Sequence, residues 1–78
     1  MKQEKMEMMI MMAKIHIEFE QKNIDRCMER IKDRANGNDP KNIARFMIGD
    51  AEELQKAIDR MEKYKEQLEM LEYLISEE

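Results

Sequence analysis

Tryptophan and threonine are absent from this chain, and cysteine, histidine, serine and proline each occur once. Each scarcity closes a class of function. A single cysteine, Cys27, rules out an internal disulfide. An unpaired thiol on an apolar ladder reads as a small core residue in a reducing compartment. One histidine gives a metal no usual anchor; His16 and Glu20 stand four apart, but no Glu-x-x-His pair of the di-iron kind exists. His16 therefore reads as a rim or surface residue. Cys27 lies eleven residues from His16. That is roughly 16 Å along a helix, beyond the reach of a nucleophile and its base. Two glycines, Gly37 and Gly49, cannot build a phosphate-cradling loop. We therefore expect no enzyme: no catalytic residues, no bound cofactor and no metal.

Long apolar runs are missing too. None approaches the ~20 residues needed to span a bilayer, so no membrane partner is expected. The six residues Met8 to Ala13 are too short for a secretory leader, and Glu4 and Glu7 precede them. A soluble, cytoplasmic protein is the expectation, in keeping with 41% charged residues.

What the chain does contain is a repeat. Ile10, Ile17, Ile24 and Ile31 stand seven residues apart, with Met6, Ala13, Glu20 and Cys27 on the alternate positions. A second ladder runs through Met47, Ala51, Leu54, Ile58, Met61, Leu68 and Ile75. Seven-residue apolar spacing marks helices packed along a seam. Between the ladders lies Asn36-Gly37-Asn38-Asp39-Pro40, a strong break. Gly37 is expected to close the first helix in a left-handed conformation. Asp39 is expected to cap the second, with Pro40 at its first position.

Residues 1–78 thus read as one all-α domain, an antiparallel, coiled-coil-like hairpin. A helix over about 6–35 and a helix over about 40–75 flank a loop at 36–40. The alternative is an N-terminal strand followed by two helices, because Lys14 to Glu20 alternates polar and apolar residues. The unbroken isoleucine repeat favours helix. Such a small core contributes roughly 3–5 kcal/mol, so self-association is a natural supplement. Met8, Met12, Ile15 and Phe19 form a second apolar stripe, read as lying beside the first. Two hairpins pairing into a four-helix bundle would cover both stripes, so a homodimer is expected. This form resembles that of the Rop plasmid regulators, dimers of helical hairpins, although no sequence motif here carries kinship. The ten methionines, five of them within Met6–Met12, read as adaptable filler near one end of the bundle.

Charge is segregated. Residues 22–45 hold seven basic and four acidic groups, whereas residues 46–78 hold four basic and ten acidic. Lys22, Arg26, Arg30 and Arg34 recur every four residues and read as one side of the first helix. With Lys41 and Arg45 they make the bend the candidate site for an anion or an acidic protein. The run Glu62, Glu66, Glu69, Glu72, Glu77 and Glu78 reads as a solubilising face. A net charge of −4 opposes general duplex binding. Aromatic platforms for single strands are few, since most of Phe19, Phe46, Tyr64 and Tyr73 are expected to be buried.

The expected function is a non-enzymatic adaptor or inhibitor, a dimeric hairpin that binds and regulates or bridges an unidentified protein. Met8, Met12, Ile15 and Phe19 are its dimer or partner face. The alternative is a small nucleic-acid regulator. It would bind RNA through the basic bend, or bind DNA in a way that resembles ribbon-helix-helix repressors, whose ribbon would come from residues 14–20.

Overall fold

The computed structural model describes residues 2–77. Helix α1 spans Lys2–Ala35 and helix α2 spans Pro40–Ser76. They pack against each other as an all-α hairpin 58 Å long and 13 Å across. Residues 14–20 lie inside α1, and the described residues contain no strand, so the strand alternative is overturned. The side chains explain why. Ile17 continues the seven-residue seam on both sides, and a strand here would have no partner. Helix α1 also begins about one turn earlier than its apolar pattern, at Lys2.

The turn is built largely as the sequence suggests. Asp39 is the N-cap, with extended backbone at φ −109° and ψ 99°. Its side chain accepts from the Lys41 and Asn42 amides at 3.2 and 3.5 Å, and from Asn42 Nδ2 at 2.9 Å. Pro40 sits where its missing N–H leaves no bond unmade. Gly37 departs from expectation, since no glycine has a positive φ. The last turn of α1 tightens instead, with the Asn36 amide donating to Asp33 O at 3.3 Å and Gly37 to Arg34 O at 3.0 Å. Those short-range bonds satisfy terminal carbonyls without a left-handed residue. A Cβ at Gly37 would sit 3.2 Å from Arg34 O, so close approach is what favours glycine there.

The seam of α1 follows the predicted register. Ile10, Ile17, Ile24 and Ile31 are half-buried, and Ala13, Glu20 and Cys27 are buried. In α2 one half of the ladder holds: Met47, Leu54, Met61, Leu68 and Ile75 are half-buried at seven-residue steps. The other half is Ile43, Asp50, Ala57, Tyr64 and Leu71, also seven apart. Ala51, assigned to the seam by its apolar character, is exposed. The position belongs to Asp50, which is 6% exposed.

The core is thin. Its buried apolar members are Ala13, Cys27 and Ala57, small residues that let the two helices approach. No large side chain among the described residues is completely enclosed. Two carboxylates, one from each helix, are buried with them. The chain exposes 6536 Å², about 1,500 Å² more than a compact monomer of 9.5 kDa would.

Candidate functional site

Two ion bridges, each with a buried carboxylate and a partly exposed arginine, organise the half of the hairpin near the bend. Glu20 of α1 accepts a hydrogen bond from Arg60 Nε of α2 at 3.0 Å. Asp50 of α2 pairs with Arg34 Nε of α1 at 2.5 Å. Each helix thus contributes one buried carboxylate and answers the other's with arginine. A buried carboxylate without such a partner would be costly. Arg30 adds a third crossing, donating to Glu53 at 2.5 Å and to Cys27 Sγ at 3.2 Å. The hydrogen bond to Cys27, and then the Glu53 charge, hold Arg30 above the ordinary arginine range. The hydrogen bond to Glu20 does the same for Arg60. A raised folded-state value stabilises the fold below the ordinary arginine range and is lost only above it. Arg30 and Arg60 therefore stay charged through neutral pH.

These bridges divide the predicted basic row. A step of four residues overshoots a full helical turn by roughly 40°, so three steps carry a row about 120° round. Lys22 and Arg26 face solvent, but Arg34 has rotated into the seam beside Asp50. Its guanidinium also lies 4.5 Å from the centre of the Phe46 ring, a cation–π contact. Arg30 and Arg34 therefore hold the fold. Lys22, Arg26, Lys41 and Arg45 are exposed and have no ion-pair partner among the described residues.

A groove of about 300 Å³ runs between the helices beside the bridges. Cys27 and Ala57 lie at its bottom, and Arg26, Arg30, Lys56 and Arg60 rim it, with Glu53 the one carboxylate. Sequence reasoning did not single out Lys56, Arg60 or Asp50. The signal was present: Asp50 and Ala57 complete the run of sevens from Ile43 to Leu71. Among the described residues no three His, Cys, Asp or Glu side chains could hold a metal ion. His16 stacks on Tyr64, ring centres 4.7 Å apart and 11° from parallel.

The second candidate surface is at the open end, formed by the start of α1 and the end of α2. Met8, Met12, Ile15 and Phe19 are 52–64% exposed. At about 100° per residue their stripe lies roughly 160° round α1 from the seam. It is behind the helix, not beside the first stripe as the sequence suggested. Met9 and Met11 are exposed at the same end, as are Met70, Tyr73 and Leu74 on α2. Within the hairpin, then, these methionines do not fill a core. Three of the four aromatics expected largely to be buried, Phe19, Phe46 and Tyr73, are also exposed, because none occupies a seam position. Only Tyr64 does, and it is half-buried.

Charge differs between the halves as well. Residues 1–19 and 61–78, the open half, carry five basic and nine acidic groups. Residues 20–60, the bend half, carry nine of each. No helix among the described residues is long and apolar enough to cross a membrane. No protein-family model matches this chain, and neither a curated protein nor a solved structure matches it.

Proposed function

We propose that this chain is a non-enzymatic interaction module, a hairpin that pairs with a second copy and binds another protein, which it regulates or bridges. One observation carries the reading: α1 is apolar on two nearly opposite sides, and α2 covers only one of them. Helices with two apolar sides have two neighbours. The methionine-rich character of the exposed side suits contact with adaptable surfaces. Lys22, Arg26, Lys41 and Arg45 support an acidic protein as the partner of the bend. A pull-down from the native cell tests this. The intact chain should retain a defined protein that an Arg26→Glu, Arg45→Glu chain releases. If nothing is retained above background, the reading fails.

The groove rimmed by Arg26, Arg30, Lys56 and Arg60 favours a second reading, binding of structured RNA through phosphates. The ribbon form of DNA binding has no strand to build on. Reversing the charge of Arg26 and Lys56 should abolish RNA binding measured by fluorescence anisotropy; unchanged affinity would remove this reading.

A further inference from the structure

We propose that the outer stripe of α1 is a self-docking surface, and that a second copy of this chain covers it in antiparallel orientation. The proposal rests on the reading of the chain as a self-pairing interaction module. The first support is area. The surplus of about 1,500 Å² over a compact monomer exceeds the ~800 Å² per partner of a standard stable interface.

The second support is the spacing of the stripe. Met8, Met12, Ile15 and Phe19 are separated by four, three and four residues, which reads the same in both directions. Under a two-fold axis every member finds one of the same set. Met8 meets Phe19 of the second copy, and Met12 meets Ile15. A thioether against an aromatic ring is a favourable contact. The stripe is bounded by Lys5 on one side and Lys22 on the other, each three residues beyond its end. The apolar patch is therefore closed, which suits a finite two-fold pair and not a filament.

Charge chooses which helix makes the contact. Residues 1–21 hold three basic and four acidic groups, nearly neutral, whereas residues 58–78 hold three and seven. Pairing through α1 sets the two acidic helices on opposite outer sides, where they repel least. Four helices then lie in a row, α2, α1, α1 and α2, and the hairpins overlap only at their open ends. With hairpins 58 Å long overlapping along roughly two dozen residues, the pair is a rod of about 80 Å with a basic bend at each tip. Such a rod can hold two copies of an acidic partner apart, which gives bridging a geometry.

Small-angle X-ray scattering and light scattering on the intact chain, Ile15→Glu and Lys22→Glu test this at 1–100 μM, roughly the range where weak pairs appear. The intact chain should have the mass of two chains and a maximum dimension near 80 Å. Ile15→Glu should weaken pairing by roughly a hundredfold or more, since it buries two unpaired carboxylates per pair. Its helical circular dichroism should persist, because Ile15 is exposed in the hairpin. Lys22→Glu should tighten pairing by about fivefold, because two Lys5–Lys22 repulsions become attractions. A parallel pair would instead exchange a repulsion between two Lys22 side chains for one between two carboxylates, and its pairing would stay unchanged. A single-chain mass at 100 μM overturns the proposal, as does a two-chain particle near 60 Å, a side-by-side bundle. Persistent pairing in Ile15→Glu, or pairing that is not tightened in Lys22→Glu, also overturns it. If Ile15→Glu does not fold, Lys22→Glu and the particle length decide. A monomeric intact chain leaves partner capture by the bend standing, because the pull-down reads that separately.

Discussion

The two halves of this hairpin share one seven-residue pattern and use it differently. In the open half the seam is Met6, Ile10, Ala13 and Ile17 on α1 with Met61, Tyr64, Leu68, Leu71 and Ile75 on α2, and no described ion pair crosses it. In the bend half the same positions include Glu20 and Asp50, bridged to arginines of the opposite helix. The outer surfaces are reversed: apolar around Met8 to Phe19, charged from Lys22 onward. An apolar seam supplies burial but tolerates sliding. Buried charges add little net burial energy but penalise every misalignment. The bend half thus fixes which residues face each other, and the open half carries surface left for another chain.

Breaking the apolar half should have the largest effect. Ile17→Asn places an amide in the apolar stretch of the seam, at a cost of about 2 kcal/mol. Against a stability of roughly 3–5 kcal/mol, that should lower the melting midpoint read by circular dichroism by about 8–16 °C. A melt unchanged within 2 °C would show that the open half contributes little. Making the bend half resemble the open half should act the other way. Glu20→Leu replaces a buried ion and leaves Arg60 half-exposed to water. It should stabilise the chain by about 1 kcal/mol and raise the melting midpoint by about 4–8 °C. The gain should bring doubled or broadened amide NMR signals, as more than one alignment becomes populated. A single sharp set would mean that Asp50 and Arg34 suffice to align the helices. The smallest change sharpens the contrast at the backbone. Gly49→Ala adds a methyl that meets nothing within 4 Å. It should stabilise α2 by about 0.5–1 kcal/mol. A lowered midpoint would reveal that this outer site on α2 is covered in solution.

Much of this fold is legible in the residues, and the gaps have physical causes. The isoleucine repeat, Asp39 and Pro40 define two helices and a turn, because spacing and cap chemistry are local. The α2 seam was half legible. Apolar character favours Ala51, but the register is set by what Arg34 and Arg30 offer across the seam, which is not local information. The basic row failed as a single face because a four-residue step drifts round the helix. The exposure of Phe19, Phe46 and Tyr73 was not legible either. Burying an aromatic ring needs a neighbour, and a two-helix chain supplies each helix with only one.

The reciprocal bridges have a consequence for recognition between chains. Sliding α2 by one heptad would set Glu20 level with Glu53 or Gln67 in place of Arg60. The alignment is thus written in the signs of a few buried groups, and signs can be exchanged. A chain carrying Glu20→Arg together with Arg60→Glu would keep its own bridge and its own hairpin. It would no longer match the parent, because a helix traded between them would meet arginine with arginine or carboxylate with carboxylate. One backbone could then yield two hairpins that ignore each other when mixed in the same solution.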